Sequence, residues 1–134
     1  MGGREKISFK AIEKTLLGIK PDAFEKGIDE TILKEILQKT GFKVLAENVK
    51  VQARATMEKH YAEHAQKWFF NNLISYVTRD KFGAYELEGD NAVSTLRRVA
   101  SEIREKYAPG AKTENLVHSS DSVESANREI ANFF

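Results

Sequence analysis

Apolar residues recur along this chain with two spacings, and the alternation between them predicts its elements. Lys14-Thr15-Leu16-Leu17-Gly18-Ile19 is a short apolar run stopped by Lys20-Pro21-Asp22. A proline keeps the residue before it extended, so this run predicts a central strand that ends in a cation. From Ile28 the apolar positions Ile28, Ile32, Leu33, Ile36 and Leu37 follow a helical period, and Gly41 stands where a left-handed cap belongs. Phe42, Val44 and Ala46, then Val49 and Val51, predict a second strand with an irregularity near Glu47-Asn48, and the first strand is its expected neighbour. Thr56 is expected to cap a helix from Met57 to about Ala65, and a second helical stretch runs from Trp68 to about Thr78. Phe82, Ala84, Tyr85 and Leu87 predict a third strand. Asp90 is then the expected cap of a helix carrying Val93, Leu96, Val99, Ile103 and Tyr107, which Pro109-Gly110 ends. Leu116-Val117 closes a fourth strand. Ser120, Asp121 and Ser122 start the last helix, with Glu124 three positions after Asp121 as in a capping box and Ala126, Ile130 and Phe133 on one face.

This order contains a β-α-β-β-α-β unit, so the expected fold class is α+β, ferredoxin-like, with helices packed on one face of a four-stranded antiparallel sheet. The 134 residues suit one domain, 1–134, in which 1–13 reads as a loose N-terminal arm. Lys and Arg number 21 against 20 Asp and Glu, and a net charge of +1 does not indicate a basic face for nucleic acid. Without cysteine there is no thiolate catalysis, no disulfide and no Cys-ligated zinc. No apolar run approaches the roughly 18–20 residues of a membrane span, and the start lacks an apolar signal core, so a cytoplasmic protein without membrane attachment is expected.

The candidate chemistry lies in Asn115-Leu116-Val117-His118-Ser119-Ser120-Asp121-Ser122-Val123-Glu124-Ser125-Ala126. Its histidine falls at a strand-to-helix junction, beside N–H groups and a dipole that favour an anion such as phosphate. Four further blocks accompany it in order: Lys20-Pro21-Asp22-Ala23, His60-Tyr61, Phe69-Phe70-Asn71-Asn72-Leu73 and Leu87-Glu88-Gly89-Asp90-Asn91-Ala92-Val93. Together these blocks resemble the nucleoside diphosphate kinase family over about residues 14 to 134.

That resemblance implies a ping-pong reaction in which His118 takes the γ-phosphate of a nucleoside triphosphate such as ATP and passes it to a nucleoside diphosphate. Imidazole is in large part neutral near pH 7, so it can attack without a strong base. By the same resemblance Glu129 would hold the second ring nitrogen, with Ser120 beside the histidine. Lys20 and Tyr61 would contact the transferring phosphate, Arg97 would bind the nucleotide phosphates, and Asn115 would hydrogen-bond near the ribose. Phe69 would stack on the base and Leu73 would line its slot, a contact that tolerates any base because every base has a π-face. Mg²⁺ would arrive as the nucleotide complex, with no direct protein ligand and a water between it and Asp121. The family forms homo-oligomers, dimers stacked into tetramers or hexamers, and the same is expected here.

The sequence departs from the family pattern in places. Between Pro109-Gly110 and Asn115, family members carry a longer excursion with a phosphate-binding arginine; here only Ala111-Lys112-Thr113-Glu114 remain. Glu114 stands where arginine is common, Ile103 where a threonine is expected, and Ser119 where glycine or alanine is usual. Lys112 or Arg98 is the expected substitute cation. Two rival readings accompany these departures. One is a catalytically weak or inactive nucleotide-binding or scaffolding relative. The other is an inverted zinc-peptidase motif, His60-Tyr61-Ala62-Glu63-His64, which needs both histidines on one helical face.

Overall fold

The computed structural model describes residues 11–134, so most of the expected N-terminal arm lies outside the described residues. The first strand, β1 (Ile12–Ile19), begins two positions before the apolar run, and its last five residues are buried. A strand buried continuously rather than alternately must be covered on both faces, as β1 is. Leu17 and Ile19 join a cluster with Ile32, Ile36, Leu87, Leu96 and Ile103, while Leu16 joins a second with Met57, Ile74, Val77, Phe82 and Phe133.

A five-residue helix, α1 (Pro21–Glu25), follows at once. Its proline, expected only to end the strand, starts the helix, because a proline in the first turn gives up an N–H that would have no partner there. Next come α2 (Asp29–Thr40), which Gly41 ends at φ 68° as predicted, and β2 (Lys43–Lys50). The strand does carry an irregularity, but as a register shift between Val44 and Ala46 rather than near Glu47-Asn48, which pair regularly with Tyr85 and Ala84.

β2 does not neighbour β1 as expected. It pairs antiparallel with β3 (Phe82–Asp90), and β3 pairs antiparallel with β1, from Ile12 opposite Asp90 to Ile19 opposite Gly83. β4 (Val117–Ser119) lies on the other side of β1, giving the order β2-β3-β1-β4. β1 is thereby flanked on both sides by strands that come later in the chain.

Between β2 and β3 run α3 (Arg54–His60), a short 3-10 turn (Ala62–His64) and α4 (Phe70–Thr78). Thr56 sits inside α3, and Ala53 is its cap. Asp90 completes β3, and Asn91, at φ 47°, occupies the cap of α5 (Ala92–Tyr107). That helix start is served instead by the Glu13 carboxylate of β1, which accepts the Val93 N–H at 3.1 Å. The last helix, α6 (Val123–Phe133), is capped by Ser122, whose hydroxyl accepts the Ser125 N–H at 3.0 Å, in place of Asp121.

The fold is the expected ferredoxin-like α+β unit, with α2 and α5 packed on one face of a four-stranded antiparallel sheet. The expected single helical face is incomplete, because α3, α4 and α6 cover the other face as well. No helix of the described residues is long and apolar enough to cross a membrane.

Candidate active site

Central β1 and three-residue β4 bring the conspicuous histidine to the middle of the molecule. Gly18 lies directly opposite His118 in the ladder. A Cβ at Gly18 would come within 2.6 Å of the Phe82 ring and 3.1 Å of the His118 Cβ, so glycine is what lets both side chains close over the strand. His118 Nε2 lies 2.9 Å from Glu129 Oε1, and the Ser120 hydroxyl donates to the same oxygen at 2.7 Å. Ser120 is itself fixed, since its Oγ accepts the Leu16 N–H at 3.2 Å. A carboxylate only accepts, so the His118 Nε2 carries the proton and Nδ1 keeps its lone pair. Glu129 is 5% exposed, which holds this orientation against competition from water.

His60, at the end of α3, packs edge-to-face on His118 at 4.6 Å and on Phe133 at 5.2 Å. Neither of its ring nitrogens has a partner among the described residues, and burial holds its pKa well below the usual histidine value, so the ring is a neutral wall. The chain leaves the α-helix at His60, which removes the single helical face that the zinc-peptidase motif requires. His64 packs instead on Tyr61 and Phe69. Among the described residues, the three with metal-ligand spacing are His60, His118 and Glu129, not His60, Glu63 and His64. Tyr61 contributes a buried hydroxyl without a partner among the described residues, and burial raises its pKa, so it keeps its proton to donate.

Lys20 ends β1 as predicted. Its ammonium donates to Asn115 Oδ1 at 2.7 Å, and Asn115 Nδ2 donates to the Lys112 carbonyl at 3.2 Å. Between Asn115 and β4 stands Leu116, at φ 79°, a conformation that costs a non-glycine residue about 1–2 kcal/mol. Two backbone contacts clasp it: its N–H donates to Asp22 Oδ2 at 3.1 Å, and its carbonyl accepts the Lys20 N–H at 2.8 Å. The other Asp22 oxygen accepts the Tyr76 hydroxyl at 2.5 Å. Glu114 belongs to the same bracing. Arg79 bridges it to Glu25, each at 2.8 Å, and so ties the short loop to α1.

Burial pulls the Lys20 pKa down to about 8, the neighbouring Arg104 cation adds to this, and Asp22 opposes it. Folding lowers this pKa, so the buried ammonium costs stability below about pH 8, a cost relieved as pH rises toward 10.5. Anion binding has the opposite sign, since it favours the ammonium. A phosphate ligand should therefore drive proton uptake when it binds above about pH 8, and its affinity should fall through that range. Calorimetric titration in two buffers of different ionisation enthalpy checks this; an uptake of zero at pH 8.5 would overturn it.

Helix α5 lies alongside. Arg97 is exposed, and Arg98, an expected substitute cation, pairs with Glu102 at 3.2 Å. Lys112, the other, is exposed and contributes its carbonyl to Asn115. Arg104, which belongs to none of the motifs above, donates from Nη2 to the Val117 carbonyl at 3.0 Å. Its signal was present, because seven positions after Arg97 is two turns down the same helical stripe. Asp121 is exposed; a Ser125 hydrogen bond, with help from Arg97, holds its carboxyl below the usual carboxylate range.

Phe69 and Leu73 line a small cavity with Trp68, Asn72, Tyr76, Thr113 and Glu114, and Phe69 and Phe70 both pack against the core. A larger cavity of about 680 Å³ opens between α3 and α6, and of the predicted residues only Glu129 and Asp121 line it.

Comparison with known proteins agrees with the resemblance. The model of the family described as "Nucleoside diphosphate kinase" matches residues 13–134. The nucleoside diphosphate kinase of Clostridium perfringens is 41% identical over 92% of both chains, and that of Saccharolobus solfataricus is 35% identical over 91% of this chain and 94% of its own. Among solved structures, the nucleoside diphosphate kinase of Aquifex aeolicus superposes with a TM-score of 0.81 at 33% identity, covering 92% of this chain and 96% of its own. A family protein from Babesia bovis gives 0.84 at 28% identity, covering 91% and 88%.

Proposed function

The chain belongs to the nucleoside diphosphate kinase family, and from that premise we propose that His118 Nδ1 is the nucleophile of its phosphotransfer, with Glu129, Ser120, Lys20 and Tyr61 as its immediate support. The observation that carries this reading is the Glu129 carboxylate, which accepts a hydrogen bond from the Nε2 N–H and leaves the Nδ1 lone pair free. The Nδ1 lone pair attacks the γ-phosphorus of a nucleoside triphosphate, the bond to the β,γ-bridging oxygen breaks, and the nucleoside diphosphate departs with that electron pair. As phosphorylation places positive charge on the ring, the fixed carboxylate stabilises it. A second nucleoside diphosphate then takes the phosphoryl group by the reverse displacement, and the Nδ1 lone pair is restored.

Little of this is covalent work for the protein; most is positioning and charge neutralisation. Lys20 supplies a cation held in place by Asn115, Tyr61 supplies a hydroxyl, and Arg97 serves the phosphates farther out. Phe69 and Leu73 receive the base. In this reading Asn115 serves the ribose only indirectly, since its carbonyl oxygen is engaged by Lys20. Asp121, an ionised carboxylate beside Arg97, would hold through water the Mg²⁺ of a nucleotide complex, which would supply charge neutralisation at the phosphates.

Incubation with Mg²⁺ and γ-labelled ATP should give an acid-labile, alkali-stable label on the protein that unlabelled GDP chases into GTP. Absence of label from a preparation that binds ATP would overturn the reading and leave a binding protein.

A further inference from the structure

Arg104 is arranged unlike the three arginines of this chain that form ion pairs. Arg54, Arg79 and Arg98 each pair with a glutamate at the surface. Arg104 is more buried, yet among the described contacts it pairs with no carboxylate. Its one hydrogen bond, from Nη2 to the Val117 carbonyl, spends one of five N–H groups, and its Nε is buried with no partner. A donor of a charged group left unmatched out of water is costly, and such an atom calls for a partner.

What would bind follows from the neighbours. Val117, which anchors the guanidinium, immediately precedes His118 in β4. The buried Tyr61 hydroxyl also lacks a partner, and the Lys20 ammonium is close enough to feel the Arg104 charge. Arg97 stands two turns away on the same stripe of α5. Two cations and a hydroxyl gathered here, with donor capacity to spare, suit a ligand with many anionic oxygens. A phosphate chain has these, and a planar guanidinium is shaped to bind two of its oxygens at once.

We propose that Arg104 is a phosphate-binding residue of this enzyme, reaching from α5 past the Val117 carbonyl to the diphosphate portion of the nucleotide. The proposal rests on the phosphotransfer reading above.

A merely structural Arg104 would only brace β4. The two roles separate in equilibrium binding of ADP and AMP with Mg²⁺, where no phosphoryl transfer can occur. In Arg104→Met the ADP affinity should fall roughly 10- to 100-fold, the loss of one or two charge-assisted hydrogen bonds, while AMP affinity changes by less than about threefold. Arg104→Lys, which keeps a cation without the fork, should show an intermediate loss for ADP. An ADP to AMP affinity ratio equal to wild type, or equal losses for both ligands, overturns the proposal. If Arg104→Met fails to fold, Arg104→Lys decides by the same ratio, which must fall at least threefold. Labelling of His118 in the wild-type protein is read separately, so failure of the phosphotransfer reading is distinguishable from failure of this one.

Discussion

Replacing His118 with alanine should lower kcat by on the order of 10⁴-fold or more and abolish the covalent label, while nucleotide still binds. The expectation is large because no other side chain can substitute for it: the adjoining His60 is neutral but buried against Phe133, outside the Glu129 contact that prepares Nδ1. Stability should change little by comparison, by about 1–2 kcal/mol, since Glu129 keeps the Ser120 hydroxyl when the imidazole is removed. Steady-state kinetics and a denaturant melt on the same preparation separate the two quantities. Residual transfer within tenfold of wild type would move the nucleophile elsewhere.

The opposite profile is expected of Asp22, which touches none of the reacting groups. Asp22→Ala should destabilise the protein by about 3–5 kcal/mol, the range for breaking a buried charged network. The substitution leaves the buried Tyr76 hydroxyl without its acceptor and frees the Leu116 N–H, whose bond holds a positive φ. Asp22→Asn keeps one acceptor oxygen and should lose roughly half as much. Urea midpoints at constant m-value measure the difference, and a loss below about 1 kcal/mol in Asp22→Ala would show that Leu116 is held by other means.

Much of this site was readable from residue order alone. The run ending at Lys20, the α2 stripe closed by Gly41, and the long α5 stripe are local patterns, and local patterns survive folding. Readings that depended on a distant partner fared worse. β2 was expected beside β1, but strand neighbours are chosen by which faces must be buried, and β3 fills that place. Asp90 has a good cap residue's chemistry, yet Glu13 from another strand serves the helix start, leaving Asp90 to extend β3. Glu114 looked like the loss of a cation and proves to be half of a brace, because Arg79 lies thirty-five positions before it. The spacing of Arg104 from Arg97 is legible in the sequence, but its contact is not, because the carbonyl it meets belongs to a strand still to come.

The placement of β1 has a kinetic consequence. The first described strand is central, and it acquires its neighbours only when β3 and then the short β4 arrive from far along the chain. Closing such loops is entropically slow, and few contacts are gained until the ends meet. β4 has three rungs, and the carboxylate that readies its histidine sits on α6, later still. During synthesis, therefore, the catalytic centre is among the last regions able to assemble, and a nascent chain stalled before α6 has the histidine without the means to orient it.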